Sequence, residues 1–582
     1  MKTYEVEENR TFSIDDAGER KALSNFSATI DEETHLIDGD TRTTLLSISG
    51  TIATAGGPKK QTPVIVTTEE FTAMSWVMRN WGSSAIIYPG QGIKDDLRAQ
   101  IQLHSKPKSK TVYRHIGWTE IGGKPAYLHA GGAISAAGNN PKITVDLPPE
   151  LQKYDLTPSQ QSAQKAIAAT LELVRLTPPE LGWTLFAATF APLYSSVDFG
   201  IHLSGRTGTY KSELLSLWQS HFGPEMTARK LPASWSSTPN ALEAQCYYAK
   251  DAPIVIDDFV PTGSTYQQRT YQAAAEKIIR AQGNQAGRAR LTDSSQLQRT
   301  MYPRGILLST GEDVPTGHSI RARLMIMEIS PGDIQTPALT TAQAKRQSYS
   351  TTTAHRIKHL AAKPSKLDAI VNDIRDKNIT VGHSRTPAMI GRLIATSWDM
   401  LEWMEEVGGV TRATMLQYQK AAAAAILSQG GKQTLFLEES DPCDQFCSTI
   451  KHVLGAGLGH LRTVNGGIPI KASEIGWTEE RQEGQMPLFR SRGPCIGWID
   501  RDADTVYLDI TIGLAVIKKV GGADMGSTRQ TLFKRLKEGG LLARTDDSRQ
   551  RNTIRITAEG HPRQVLAMSY SATFNQQELP NE

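Results

Sequence analysis

The spacing of apolar and polar residues changes several times along this 582-residue chain. Over residues 1–150, short alternating runs such as Thr44–Ile48 and Pro63–Thr67 are broken by Gly, Asn and Asp. That is the period-2 pattern of half-buried strands. Helices are expected over Glu69–Asn80 and Ile93–Ser105. A hairpin is expected from Thr111–Ile121 and Lys124–His129, turning at Gly122-Gly123. Pro141–Thr157, with Leu147-Pro148-Pro149, reads as an extended linker. The spacing then becomes helical over Ser159–Leu176 (Ile167, Leu171, Val174), and a second helix follows over Pro179–Tyr194. Beyond them, unbroken apolar runs alternate with helical stretches, the signature of an α/β domain. The runs are Phe199–Leu203, Pro253–Phe259, Gly305–Glu312 and Met325–Ile329.

Residues 331–430 read as mostly helical, with Arg385–Val407 amphipathic (Ile390, Leu393, Ile394, Trp398, Leu401) and Ala421–Leu427 rich in Ala. A helix over Cys443–Leu461 precedes short strands around Cys495–Ile499 and Thr505–Leu508. The helix Ser527–Glu538 is then followed by Leu541–Arg544 and Asn552–Thr557, the helix-then-hairpin order of a winged helix. The expected division is a β-rich N-terminal domain (1–150), an α/β core (151–335), a helical lid or linker (336–440) and a winged-helix-type region (441–582). At about 150 residues per domain the length allows three or four.

Composition narrows the class. The formal net charge is only +4, so any nucleic-acid surface is local. No apolar run reaches eighteen residues, and the first residues, Met-Lys-Thr-Tyr-Glu-Val-Glu-Glu, lack an apolar signal core. Four cysteines in this length point to a reducing compartment. The expectation is a cytoplasmic protein without a membrane span. Cys443 and Cys447 lie one helical turn apart with no second pair or His cluster, which suits a buried helical face better than a metal site. His115, within Tyr113-Arg114-His115-Ile116-Gly117-Trp118, is read as structural.

The stretch with the clearest chemistry runs from Gly200 to Ser212. An apolar run ends in Gly205-Arg206-Thr207-Gly208-Thr209-Tyr210-Lys211-Ser212, and an amphipathic helix, Glu213–Phe222, follows. Strand, Gly-rich loop and helix form the setting of a phosphate-binding loop, where backbone N–H groups and a helix N-terminus surround phosphate oxygens. Lys211 would reach the β- and γ-phosphates of ATP, and the Ser212 hydroxyl would hold Mg²⁺. The spacing is G-x-x-G-x-x-K-S, with Tyr210 where the usual pattern has Gly, so a structural turn stays open on the loop alone.

Pro253-Ile254-Val255-Ile256-Asp257-Asp258-Phe259 describes a buried strand tipped by two carboxylates, and ligands of open α/β sheets sit at such tips. Asp257 is assigned to the Mg²⁺ and Asp258 to polarising the attacking water; the alternative is a strand-end turn. Thr310, at the tip of the next strand, is placed as the γ-phosphate sensor. Arg321 and Arg323 suit stabilisation of phosphoryl charge, unless they are plain surface arginines. Arg280–Arg304, with Arg280, Arg288, Arg290, Arg299 and Arg304, is either a solvated loop or a contact to nucleic-acid phosphates. In Ser527–Arg563 nine Lys and Arg stand against four Asp and Glu. Arg529, Lys534 and Arg535 on the helix and Arg549 and Arg551 on the wing are the candidate DNA contacts.

Several of these segments together resemble the bacterial domain-of-unknown-function family 927, P-loop ATPases of mobile elements. The segments are Tyr113–Trp118 with Tyr127–Ile134, Gly208–Ser212, Ser234–Glu243, Asp257–Phe259 and Leu308–Pro315. The resemblance covers about residues 20–330, and one branch of the family carries an aromatic before the Lys. It implies a P-loop ATPase core of the additional-strand, AAA+-like type, related to minichromosome-maintenance-like and superfamily-three replicative helicases. It also implies a homo-oligomer, a hexameric ring, with an arginine such as Arg321 or Arg323 facing the neighbouring subunit's nucleotide. In ATPases of this type a helical lid follows the core, where Arg385 or Arg392 would either reach nucleotide or lie on the surface.

The leading expectation is therefore an ATP- and Mg²⁺-dependent DNA helicase or translocase. A DNA-binding ATPase switch (loader, regulator or defence component) is the alternative. A small-molecule kinase is disfavoured by the basic C-terminal region.

Overall fold

The structure is a computed structural model. It describes residues 2–574 except 40, 262–263, 288–289, 292–296, 299, 366, 368–369, 372–384, 439–440, 481–487, 522–528 and 550. The chain gathers into two units. The first comprises Met1–Asp313, Met327–Asn378 and Ile390–Leu427; the second comprises Val314–Ile326, Ile379–Met389 and Ser428–Glu582.

In the first unit the N-terminal residues are β-rich. An antiparallel sheet of Thr3–Glu7, Arg10–Ile14 and Arg20–Ser24 precedes a five-stranded sheet. The spatial order of the larger sheet is Thr144–Val145, Lys108–Tyr113, Phe26–Asp38, Thr41–Thr54, Gly57–Thr67. Phe26, Ile48, Ile52, Trp76, Trp81, Leu97 and Ile101 form its core. The expected helix Glu69–Asn80 is broken: Thr68–Ala73 ends at Met74, which takes a left-handed conformation, and Val77–Trp81 forms a separate π-turn.

The expected strand Thr111–Ile121 divides between two sheets. Lys108–Tyr113 runs parallel to Phe26–Asp38, while Gly117–Ile121 pairs with Lys124–His129 in the expected hairpin. The break falls at Gly117, where a Cβ would lie 2.6 Å from the Lys250 carbonyl oxygen. Pro141–Thr157 is also more than a linker. Thr144–Val145 pairs with Val112 and Tyr113, and the buried Tyr154 hydroxyl donates to Pro253 O at 2.8 Å.

The central sheet has five strands: β1 (Gly200–Ser204), β2 (Ala233–Ser234), β3 (Pro253–Phe259), β4 (Ile306–Gly311) and β5 (Leu324–Glu328). Their order is β2-β3-β4-β1-β5, and the β2–β3, β3–β4 and β4–β1 pairs are parallel. β4 thus lies between the strand that enters the Gly-rich loop and the strand that carries the paired carboxylates. Ile201, Leu203, Ile254, Val255, Ile256, Ile306 and Leu308 are at most 1 % exposed, so these strands read as unbroken apolar runs. Helices α1 (Lys211–Gln219), α2 (Pro239–Tyr248) and α3 (Thr265–Asn284) connect them, with a short hairpin, Arg290–Leu291 and Leu297–Gln298, between α3 and β4. After β5 come α4 (Thr336–Gln343), α5 (Arg346–Ala362), α6 (Thr386–Glu406) and α7 (Arg412–Glu438).

In the second unit, α8 (Pro442–Gly455) stops earlier than expected, and Leu461 belongs to the next strand, β6 (His460–Thr463). One sheet joins β6, β7 (Cys495–Asp500), β8 (Thr505–Asp509), β9 (Leu542–Arg544), β10 (Ile554–Ala558) and β11 (His561–Ser569). α9 (Ile512–Gly521) and α10 (Arg529–Glu538) lie between β8 and β9. β11 pairs with β8, β9 and β10, so the expected wing is built into the sheet. Cys447 is 2 % exposed in the core that includes Phe446, Ile450 and Leu532. Burial pushes its thiol up to about 11 and that of Cys443 to about 12, as suits inert core groups.

Candidate functional site

The Gly-rich loop joins β1 to α1 at the C-terminal edge of the sheet. Gly205 passes so close to β5 that a Cβ would stand 2.4 Å from the Ile329 carbonyl oxygen. Gly208 has φ +84°, a conformation that side chains strain. Tyr210, at the N-cap of α1, is left-handed too (φ 63°, ψ 23°). The tyrosine thus takes up the backbone conformation that Gly adopts without strain, at a cost of about 1–2 kcal/mol. Its hydroxyl hydrogen-bonds Thr336 Oγ1 at 3.1 Å, on α4. Among the described residues no side chain caps α1, so its first N–H groups suit a ligand.

Four side chains converge beside this loop. Lys211 Nζ donates to the carbonyl oxygens of Gly205 (2.7 Å) and Arg206 (2.8 Å), so the ammonium closes the loop from within. Burial lowers its pKa, and the charges of Glu312, Asp257 and Asp258 act against that fall. Ser212 Oγ donates to Asp257 Oδ1 at 2.7 Å, and Thr310 Oγ1 donates to the same oxygen. The backbone N–H of Asp258 donates to Thr310 Oγ1 at 3.0 Å. The register of β3 against β4 shifts between Ile256 and Phe259, and Asp258 takes a positive φ of 67°. This bulge leaves Asp257 half-buried among hydroxyls and its neighbour Asp258 exposed. Thr207 Oγ1 donates to Glu312, which follows the tip of β4.

Behind the edge lies a buried polar string that the sequence did not announce. His202, fully buried on β1, meets Ser309 Oγ at 3.0 Å and Asp313 O at 2.9 Å. Trp235 Nε1 donates to the same Ser309 hydroxyl at 2.9 Å. Burial holds His202 down at about 4, so it stays neutral near pH 7 and ties β1 to β4.

Each of the remaining candidates has its own surroundings. Arg323 Nη1 bonds Ser319 O (2.6 Å) and Ser319 Oγ (2.8 Å) within the second unit. Arg321 Nε donates to Pro315 O at 3.1 Å, with its guanidinium 5.2 Å from the Phe436 ring centre. Arg392 is half-buried, and its Nη2 bonds Ser195 Oγ at 2.5 Å. Within the basic stretch, Arg280 pairs with Glu276 at 2.6 Å, and Arg304 packs 3.5 Å over the Tyr247 ring with Nε on Tyr247 O. Arg304 is therefore a structural arginine. Arg288 and Arg299 lie outside the described residues, as does the Arg290 side chain.

On α10, Leu532, Phe533 and Leu536 face the core, leaving Arg529 and Lys534 exposed and Arg535 half-buried. Lys534 is 3.7 Å from Glu538, and the Arg529 guanidinium lies 5.4 Å over Phe533. Arg549 and Arg551 are exposed before β10. His115 is 2 % exposed and bonds Ile116 O, as a structural histidine does.

Residues 91–298 match the family model described as "Domain of unknown function (DUF927)". The match bears out the resemblance read from the sequence, and it takes in the Gly-rich loop, Lys211, Ser212 and both carboxylates. Among solved structures, one titled "SCCmec type IV Cch - active helicase" is similar over 98 % of this chain and 98 % of its own, at TM-score 0.51 and 14 % identity. At that identity the likeness is one of fold, extending well beyond the DUF927 segment. No curated protein matches the chain. No helix among the described residues is long and apolar enough to cross a membrane, and no group of three or more His, Cys, Asp or Glu among them is placed to hold a metal ion.

Proposed function

We propose that this chain is an ATP-hydrolysing, DNA-binding motor, a replicative-type helicase or translocase of a mobile genetic element. The observation that carries the reading is the cluster of Ser212, Asp257 and Thr310 oxygens beside the Lys211 loop. A lysine, a loop of backbone donors and an uncapped helix N-terminus suit the phosphates of ATP. Ser212 Oγ and Asp257 Oδ1, 2.7 Å apart, offer the hard oxygen donors that Mg²⁺ takes. Mg²⁺, when bound there, would neutralise charge on the β- and γ-phosphates. Lys211 would orient the same phosphates, Thr310 would sense the terminal one, and Asp258 would accept the proton of the attacking water.

The placing of β4 between β1 and β3 supports the additional-strand, AAA+-like class. The fold shared with a protein titled as an active helicase supports the motor. Arg529, Lys534, Arg549 and Arg551 provide the local positive surface for DNA backbone, with α10 and the β10–β11 hairpin as a winged helix. Arg321 and Arg323 would act on a neighbouring subunit's nucleotide in a ring.

The test is ATP turnover by the full chain with and without single-stranded DNA, beside Lys211→Ala. Hydrolysis that DNA stimulates and the variant lacks is expected. Equal turnover by the variant refutes the loop assignment. Strand displacement on a forked duplex then separates a helicase from a switch.

A further inference from the structure

The role proposed above uses the carboxylates of Asp257 and Asp258. A third carboxylate, Glu312, bonds the loop itself. It is exposed and stands one residue past the tip of β4. Gly311 lets the backbone turn there: a Cβ on it would meet the carbonyl oxygens of Asp313 and Phe259, each at 2.7 Å. Glu312 accepts the Thr207 hydroxyl, and Thr207 lies between the loop's two glycines. The carboxylate is therefore bonded to the loop through Thr207, a bond that a bound phosphate would also accept. Asp257 differs, because its Oδ1 is held by the Ser212 and Thr310 hydroxyls behind the loop.

We propose that Glu312 is a positioning residue of the phosphate loop: its carboxylate accepts the Thr207 hydroxyl that a bound phosphate would otherwise engage, and an incoming polyphosphate displaces it. The inference rests on reading the loop as a nucleotide site. A polyphosphate carries several negative charges to a place that already holds one. Its binding must release Thr207 and overcome repulsion from Glu312, so the residue sets how tightly polyphosphates are held.

The charge and the hydrogen bond can be separated. Glu312→Gln keeps an oxygen for Thr207 and removes the charge, whereas Glu312→Asp keeps the charge. We would measure Kd of the full chain for Mg²⁺-ATP and for inorganic pyrophosphate, with thermal unfolding as a check on folding and Lys211→Ala as the control for the loop. Glu312→Gln should tighten both ligands by about tenfold, the effect of one unit charge across several ångströms at a partly screened surface. The gain should shrink at high ionic strength and appear in KM rather than kcat. Glu312→Asp should return affinity towards the wild-type value.

A purely structural Glu312 predicts the opposite sign, since weakening the Thr207 bond would loosen the loop. Lys211-dependent binding that Glu312→Gln leaves unchanged or weakens overturns this proposal and spares the nucleotide site. If wild type and Glu312→Gln bind neither ligand, the nucleotide reading and this proposal fall together.

Discussion

Acidification gives a sharp test of how the Gly-rich loop is supported. His202 anchors β1 to β4 while neutral, and burial holds it at about 4 against an ordinary value of 6.5. The unfolded chain therefore binds the proton first. The histidine's contribution is intact above pH 6.5 and is lost as pH falls from 6.5 towards 4, at about 1.4 kcal/mol per pH unit. Between pH 7 and pH 5 the loss comes to about 2 kcal/mol. His221, buried and held at about 3 by the same cause, adds a loss of similar size over that range.

His202→Gln removes one of these two titrations and retains a side-chain amide. At pH 7 the variant should be less stable by about 1–3 kcal/mol, because Ser309 and the Asp313 carbonyl lose fitted partners. By pH 5 that gap should have narrowed by about 2 kcal/mol. The assay is urea unfolding of both proteins at pH 7, 6 and 5, followed by tryptophan fluorescence, since Trp235 shares the Ser309 hydroxyl. Carboxylates titrate alike in the two proteins and cancel in the difference. Parallel stability curves, with the gap unchanged from pH 7 to pH 5, would show that His202 is not the neutral buried group described.

Asp257→Asn replaces an acceptor of two hydroxyls with a group that also presents N–H, so turnover should fall by about 10²-fold or more while ATP still binds; Asp258→Asn should do the same less severely, and normal hydrolysis in both would make the strand tip merely structural. Arg549→Ala with Arg551→Ala should lower DNA affinity and reduce the log–log salt slope by about one unit for each phosphate that the arginines no longer neutralise; an unchanged slope would move the DNA surface elsewhere. Substitution is preferable to truncation at 511, because β11 is the shared partner of β8, β9 and β10 and its loss would dismantle the sheet. For assembly, an Arg321/Arg323 double alanine variant mixed with Lys211→Ala, each inactive alone, should recover partial activity at shared sites; no recovery in mixtures shown to co-assemble would place the arginines in cis or outside the reaction.

Where interactions are local, this chain could be read residue by residue. Pro253–Phe259 was legible to its ends, because a strand buried on both faces must be continuously apolar and its charged tip marks where it leaves the core. The strand, Gly-rich loop and helix around Gly205–Lys211 were legible for a related reason: an apolar run, glycines and helical spacing follow one another directly in the chain. Tertiary structure alone decided what depends on residues far apart in sequence. It put β4 between β1 and β3, since neighbours in a parallel sheet are chosen by packing. It split Thr111–Ile121 at Gly117, where the Lys250 backbone comes too close for a side chain. Strand β11 escaped notice because it opens with His561-Pro562-Arg563, yet Val565–Met568 are fully buried between strands from distant segments. The conformation of Tyr210 and the meeting of Thr207 with Glu312 belong to the same class. No spacing along the chain encodes a hydrogen bond between a loop and a strand tip that are 105 residues apart.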